Sequence, residues 1–496
     1  MNVLLAYPEF PDTFWSFKHA LRFVRKPANS PPLGLLTVAG MLPREWNLRL
    51  VDLNVRPLAD ADLAWADCAF VSAMAVQRPS VERILARCAA AGVPVVAGGP
   101  LFTAQPEQFP TVDHLVLGEA ELTLPPLLAD LARGSARHVY ASPEFCDLAV
   151  SPSPRWDLVD LDAYVSMPIQ FSRGCAFDCE FCDVTALFGR RPRSKSAAQV
   201  IVELDDLYAR GWRGPVFFVD DNLIADKRRL TAELLPALLE WKRGRRGLPM
   251  HSQVSINLAD DETLMRMMAR AGFATVFVGI ESPDEAALAE CGKKQNLRRD
   301  LVADARRIQR AGLEVRGGFI LGFDSDTLAS VQRLFDYVER SGIVTAMVGL
   351  LQALPGTRLY QRMQRAGRLV SLGTGDNMDG TTNIVPAAGA EPLQRAYREL
   401  LQRLYAPKAY YRRVRTFLRE YRPPRLKARL DAPYLREQAA AFLRSVVRLG
   451  IVGRERVEYW KLLAWTAVRR PRAFSLAVTH AIYGYHFRVV CELHVQ

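Results

Sequence analysis

Three cysteines, Cys175, Cys179 and Cys182, share the run Arg173-Gly-Cys-Ala-Phe-Asp-Cys-Glu-Phe-Cys182. Their C-x3-C-x2-C spacing puts three thiolates on one short loop. Iron–sulfur clusters held wholly by protein usually take four cysteine ligands. A four-iron cluster held by three leaves one iron open to a small molecule, a redox centre with a vacant coordination position. A structural zinc site would want a fourth Cys or His. The nearest histidines in sequence are His138 and His251, the nearest other cysteine is Cys146, and no second C-x2-C pair occurs. Three closely spaced cysteines cannot all pair as disulfides.

Behind the cysteines, apolar runs repeatedly end in polar residues. Gly214 to Asn222 reads as a buried strand ending in Asp220, Asp221 and Asn222. Ser252 to Asn257 reads as a strand carrying Ser255 and Asn257 at its end. Thr275 to Ser282 ends in Gly-Ile-Glu-Ser, with Glu281, and Gly317 to Phe323 reaches Gly322. Ala346 to Gln352 then leads into Leu354-Pro-Gly-Thr-Arg358. A solvated carboxylate after one strand is ordinary; the succession is less so. Cys291 reads more readily as a buried free cysteine than as a hydrogen donor to a radical.

The elements that must position these residues fall into three zones: 1–145, 146–385 and 386–496. The length of 496 residues agrees, predicting about three domains. In the first zone Val3–Tyr7, Leu48–Leu53, Cys68–Ser72 and Val93–Ala97 read as strands, with a helix over Ser80–Ala91. Such alternation implies a parallel sheet with ligands at the carboxyl ends of its strands. Gly98 and Gly99 stand at one such end, where backbone can approach a bulky ligand or simply turn. Charge divides the chain as well. Residues 1–150 carry 12 Lys+Arg and 15 Asp+Glu, residues 151–385 carry 31 and 30, and residues 386–496 carry 22 and 8. The basic excess therefore belongs to the last zone, which reads as helical over Ala409–Tyr421 and Pro433–Leu449.

The cysteine run, with Phe181 before its last cysteine, resembles that of radical S-adenosylmethionine (SAM) enzymes. The resemblance implies a partial (β/α)6 barrel and a 4Fe–4S cluster whose open iron chelates SAM. Reductive cleavage then yields a 5′-deoxyadenosyl radical. It further implies that Asp220, Asp221 and Asn222 reach the methionyl group, Ser255 and Asn257 the ribose, Glu281 the bound SAM, and Gly322 the adenine side. A Rossmann-like sheet ahead of such a barrel resembles cobalamin-binding radical SAM enzymes, as do Pro31-Pro-Leu-Gly-Leu35, Gly98-Gly-Pro100 and Leu117-Gly-Glu-Ala-Glu121. Ser72, Gly98 and Gly99 are then the candidates to meet cobalamin. One departure is clear: many cobalamin proteins carry Asp-x-His-x-x-Gly after the first strand, whereas this chain reads Tyr7-Pro-Glu-Phe-Pro-Asp-Thr-Phe-Trp15, without histidine.

The whole pattern, with the polar loop Thr374–Asn383, is most similar to the hopanoid C-2 methylase subgroup and its relatives. The resemblance implies methylation of an unactivated carbon of a hopanoid or other lipid: the deoxyadenosyl radical removes hydrogen and methylcobalamin delivers the methyl group. An electron donor such as flavodoxin or ferredoxin is implied too. Other radical reactions on this scaffold remain open: tetrapyrrole cyclisation, peptide or natural-product modification, tRNA modification. So does a non-catalytic cobalamin or redox sensor. From Tyr459 to Val490, aromatic residues interleave with Lys461, Arg469, Arg470, Arg472 and Arg488, a pattern suited to a membrane interface. Nucleic acid ranks below it, because no recognisable RNA-binding fold accompanies the segment. Scattered cysteines, no signal-peptide pattern and no apolar run of about eighteen residues predict a cytoplasmic protein, peripheral at the inner face of the membrane.

Overall fold

The computed structural model describes residues 1–376, 378–423 and 432–495. Six strands open the chain: β1 (Asn2–Tyr7), β2 (Asn47–Asp52), β3 (Cys68–Ser72), β4 (Val95–Gly98), β5 (His114–Leu117) and β6 (Val139–Ala141). All pair in parallel, in the order β2-β1-β3-β4-β5-β6. β1 buries Val3 to Ala6 completely, as a parallel strand covered on both faces must. Separate apolar cores fill the two faces. Strand order reverses between β1 and β3, and the crevice at that reversal is where open sheets bind ligands. The helix expected at Ser80 starts at Arg78, with Pro79 in its first turn, and stops at Gly92 with φ 68°.

The second sheet comprises β7 (Met167–Ile169), β10 (Val216–Phe218), β11 (Met250–Val254), β12 (Phe273–Glu281), β13 (Glu314–Leu321) and β14 (Ala346–Leu350). Between β7 and β10, a short antiparallel pair, β8 (Ser172–Arg173) and β9 (Arg193–Ser194), brackets the cysteines. The six parallel strands lie in sequential order, each followed by a crossover, which makes an open (β/α)6 barrel. Side-chain caps start its helices: Ser196 accepts from the Gln199 amide, Asp261 from Leu264, Asp300 from Ala303 and Thr357 from Tyr360. Two strands are shorter than the sequence predicts. β10 stops at Phe218 and β11 at Val254; the Ser255 amide goes to Asn222 Oδ1 instead of a ladder carbonyl, and the Asp220 and Asp221 carboxylates take amides of the loop after β7.

The C-terminal zone is helical and fused to the barrel. Arg413, on the helix Pro407–Glu420, is fully buried; it pairs with Glu339 at 2.6 Å and donates to the Leu404 carbonyl at 3.0 Å. Tyr405 Oη donates to the Ala346 carbonyl at 2.6 Å, and Tyr397 Oη to that of Val348 at 3.0 Å. Part of the basic excess is thus a docking device, with Arg412 and Arg413 both on Glu339, while the barrel's Arg310 holds Glu420 and Arg488 pairs with Glu455 within the cover. The final helix, Phe474–Val495, turns Ala477, Ala481, Phe487 and Cys491 into the same core as the barrel. The aromatic stretch expected to face an interface therefore points largely inward. Among the described residues, no helix is long and apolar enough to cross a membrane.

Candidate active site

The cysteine loop is anchored at its entry by the two aspartates at the end of β10. Asp220, fully buried, accepts from the Phe171 amide at 3.1 Å and from the Ser172 hydroxyl at 2.5 Å, with the Ser172 amide also donating to it. Asp221 accepts from the Gly174 amide at 3.1 Å. Burial raises both carboxyls, Asp220 to about 7 and Asp221 to about 6, with these hydrogen bonds opposing the rise. Gly174 sits at φ 93°, and a Cβ there would meet the Phe188 carbonyl at 2.9 Å. The exit of the loop is held by the opposite side of the barrel. The Glu180 amide donates to the Cys291 carbonyl at 2.9 Å, and its carboxylate pairs with Arg362 at 2.7 Å.

Cys179 is buried, and Cys175 and Cys182 are half-buried. Burial pushes all three thiols up, while the Lys293 ammonium works against that rise at each of them. Among the described residues no three His, Cys, Asp or Glu side chains converge on a single ion site. A four-iron cluster does not ask for convergence, because each thiolate takes a different iron. The donor set, three thiols beside one buried cation, fits such a cluster.

Lys293, which the sequence reading missed, pairs with Glu281 at 2.5 Å, and both are buried. Burial alone would lower the lysine, but Glu281 and the cysteines keep it charged, above its ordinary value. Making this pair distorts the strand. Glu281 takes φ 62°, a left-handed conformation rare for a residue with a side chain, and the β12–β13 register slips between Gly279 and Glu281. A Cβ on Gly279 would sit 2.8 Å from Lys293 Nζ. Asn296 Nδ2 ties down the distorted backbone at the Gly279 and Ile280 carbonyls, 3.2 and 3.0 Å away.

Three other expected residues form one chain. Asn222 Oδ1 accepts from the Ser255 amide at 3.1 Å, Asn222 Nδ2 donates to Ser255 Oγ at 3.2 Å, and Ser255 Oγ donates to Asn257 Oδ1 at 2.5 Å. Gly322, at φ 107°, donates its amide to Asp326 at 2.8 Å. Phe181 lies 6.5 Å from the Phe323 ring, over the small apolar cluster that holds Cys291. Cys291 itself is buried, its thiol pushed up to about 12 by burial and directed at the Leu288 carbonyl.

On the N-terminal sheet, Ser72, Gly98 and Gly99 line a narrow, mainly apolar cleft with Val38, Phe70 and Leu124. A Cβ on Gly98 would meet the Val116 carbonyl at 2.8 Å, and one on Gly99, at φ 88°, would meet Ser72 Oγ at 2.6 Å. Both glycines are therefore demanded by the close packing of neighbouring strand ends, and they leave bare backbone at the rim of the cleft. The loop Thr374–Asn383 includes Asn377, which lies outside the described residues. Its Gly375 abuts Ala75 and Val76 just after β3, and Asn383 exchanges two hydrogen bonds with Ala353 beyond β14. The loop thus spans from barrel to sheet.

The two sheets are also clamped together. Glu119 and Glu121, from Leu117-Gly-Glu-Ala-Glu121, face Arg173 and Arg193, which flank the cysteines. Glu119 pairs with Arg193 at 2.7 Å and Arg173 at 3.1 Å, and Glu121 with Arg173 at 3.0 Å. Burial would raise these carboxyls, but the guanidinium groups outweigh it and hold both below the usual range.

Alternation along the barrel strands puts Phe217, His251, Gln253, Phe277, Arg316 and Met347 on the inner face, half-buried, while their neighbours are buried under the helices. Phe217 stacks on His251 with ring centroids 4.8 Å apart. Into this lumen the post-β1 loop inserts Trp15, whose Nε1 lies 2.9 Å from Met347 Sδ and whose ring packs edge-on against Phe277. Phe14 beside it stacks on Phe487 at 4.1 Å. The loop that carries a histidine in many cobalamin proteins here supplies a wall of the barrel chamber.

Comparison with known proteins agrees with these two halves. Residues 26–128 match the B12 binding domain, residues 169–338 the radical SAM superfamily and residues 357–496 a domain of unknown function (DUF4070). An uncharacterized methyltransferase of Synechocystis sp. is 39% identical over 98% of this chain and 91% of its own. The hopanoid C-2 methylase of Rhodopseudomonas palustris is 34% identical over 94% and 90%. The fold is shared with the cobalamin-dependent SAM radical enzyme OxsB bound to aqua-cobalamin, at TM-score 0.60 and 14% identity over 99% of this chain and 80% of that one. The chain belongs to the family of cobalamin-dependent radical SAM methyltransferases, and its cofactors are a 4Fe–4S cluster, SAM and cobalamin.

Proposed function

We propose that this enzyme methylates an unactivated carbon of an apolar, ring-bearing lipid such as a hopanoid. The observation that carries the reading is the apolar part of the chamber wall: Phe217, Phe277 and Met347 from the barrel, beside the polar His251, Gln253 and Arg316, with Trp15 reaching in from the cobalamin-binding half. An apolar substrate gains roughly 25 cal/mol for each Å² it hides from water in such a chamber. The kinship with a hopanoid C-2 methylase favours the same class.

When bound, the cluster with SAM supplies a hydrogen-abstracting carbon radical, and cobalamin supplies a transferable methyl group. Within this reading Cys175, Cys179 and Cys182 hold three irons. Glu281 receives the SAM ammonium and Lys293 faces its carboxylate. The Asn222–Ser255–Asn257 chain orients the ribose, and Gly322 leaves room beside the adenine. Phe181 braces the cysteine loop, which Asp220 and Asp221 position. Ser72, Gly98 and Gly99 rim the cobalamin cleft, and Trp15 holds the substrate away from water. We assign residues 1–145 to cobalamin, 146–385 to the radical barrel and 386–496 to its helical cover, with a small electron-transfer protein such as flavodoxin or ferredoxin as reductant. The target carbon lies in a membrane lipid, so a peripheral position on the membrane follows.

The test is anaerobic reconstitution with iron, sulfide and hydroxocobalamin, then incubation with SAM, a strong reductant and a pentacyclic hopene. The expected products are 5′-deoxyadenosine and a singly methylated lipid, both absent with Cys179→Ala. Deoxyadenosine formed without methylation of any lipid offered would overturn the substrate class.

A further inference from the structure

Single exposed apolar side chains are ordinary on a protein surface; a group of them is not. Among the described residues, seven of eighteen exposed large apolar side chains fall between 443 and 468. Leu443, Val447 and Ile451 recur every four residues across the end of the helix Ala432–Ser445 and the turn Val446–Val452, 64, 55 and 61% exposed. Val457, Trp460 and Val468 form a second ridge on the helix Arg456–Arg469, at 57, 47 and 79%. The two ridges adjoin, since Trp460 Nε1 donates to the Gly450 carbonyl at 2.9 Å. Neither ridge is the buried face of its helix: Tyr459, Leu462 and Leu463 occupy that role.

The charge around the ridges has one sign in excess. Arg448, Arg454, Arg456, Lys461 and Arg469 are exposed there. Glu455 is engaged by Arg488 at 3.0 Å, Glu458 by Lys461 at 2.9 Å and Glu492 by Arg454 at 3.8 Å, so the excess is carried by Arg448, Arg456 and Arg469. We propose that this double ridge is a docking surface for an anionic phospholipid bilayer: the apolar side chains enter the headgroup boundary, Trp460 sits at its level, and the cations meet lipid phosphates. The surface keeps the start of the stretch the sequence suggested, Trp460, Lys461, Val468 and Arg469, but extends back to Leu443, while the last helix is mostly buried. The docking surface stands independently of the substrate, but it also serves the lipid reading. The Arg444 guanidinium donates to the Phe23 carbonyl, on the helix Lys18–Val24 that directly follows the Trp15 loop. The chamber wall is therefore one helix away from the docked face.

The test is co-sedimentation of the reconstituted full-length holoenzyme, without substrate, with vesicles of phosphatidylglycerol and phosphatidylcholine or of phosphatidylcholine alone. Binding is expected to the anionic vesicles, weakened by salt. It should fall at least ~10-fold with Val447→Glu/Ile451→Glu/Val468→Glu, while circular dichroism and deoxyadenosine formation stay at wild-type levels. Wild type remaining in the supernatant with anionic vesicles would overturn the proposal, as would a triple variant that sediments like wild type. Vesicle binding here, together with deoxyadenosine but no methylated lipid in the separate hopene incubation, would sink the substrate reading alone.

Discussion

At Glu281 the strand gives up regular geometry so that a carboxylate and an ammonium can meet beside three thiols. Taking one partner from a buried pair usually costs about 3–5 kcal/mol, because the other charge is stranded, whereas replacing both is often close to neutral. Lys293→Met and Glu281→Gln should each destabilise the apoprotein by about that much, and the double variant should recover most of the loss in urea unfolding. If the pair also binds SAM, the recovered double variant still forms little or no deoxyadenosine and binds SAM weakly in equilibrium dialysis. Full SAM cleavage by the double variant would reduce the pair to a structural role. Gly279→Ala tests the same site sterically, since the added methyl would crowd Lys293 Nζ, 2.8 Å from the new carbon. Cluster assembly, read as bound iron and sulfide, should survive Gly279→Ala while SAM affinity drops by ~10-fold or more.

At the scale of elements, the Glu119/Glu121 clamp fixes the end of β5 against the strands that bracket the cysteines. Reactions between two bound groups are sensitive to placement: a 1 Å error can cost about 10²-fold. Glu119→Gln/Glu121→Gln should therefore leave cobalamin binding and deoxyadenosine formation near wild type, while methyl transfer falls by ~10-fold or more. Equal loss of both activities would mean that the clamp only supports the cysteine loop. Both carboxyls are held below their ordinary value of 4.5, so their contribution is complete above that pH and disappears as acid carries the protein through the lower folded values. The sequence displayed this element without its purpose. Leu117-Gly-Glu-Ala-Glu121 was recognisable as a phrase, and Arg173 opened the cysteine run, but pairing across 52 residues depends on how the two sheets dock. Strands such as β1 and β3 were easier, because continuous burial gives them unmixed apolar runs, whereas β11, Met-His-Ser-Gln-Val, alternates. Strand ends were harder, since Asp220 and Asn222 look alike as strand-end polar residues whether they face a ligand or tie down a loop. Lys293 had no local signal at all; its partner lies twelve residues back, on a distorted strand.

Over the whole molecule, the helical cover buries two histidines, His480 against the barrel strand β13 and His486 against the post-β1 loop, while His251 lies on the inner face of the barrel. Burial lowers His251 to about 3 and His486 to about 4, and lowers His480 as well. Each faces cations or apolar rings: Arg316 acts on His251 and His480, Glu314 opposes it at His480 from 4.0 Å, and His486 meets the Phe14 carbonyl at 3.0 Å. The sign follows from linkage. The unfolded chain binds protons at these histidines near pH 6.5, and the folded protein does not until far lower, so stability falls as pH drops below 6.5. The slope approaches ~1.4 kcal/mol per pH unit for His251 and for His486, or about 2 kcal/mol apiece at pH 5. Urea unfolding of the apoprotein at pH 7 and pH 5 should show that loss, and His486→Gln should recover about 2 kcal/mol of it at pH 5. The loss should also appear first at the seam between cover and barrel, as faster amide exchange in Phe474–Val495 than in β11–β13, because protonation there drives the cover off the barrel. Identical pH dependence in wild type and variant, or uniform exchange over both halves, would place the acid sensitivity elsewhere in the molecule.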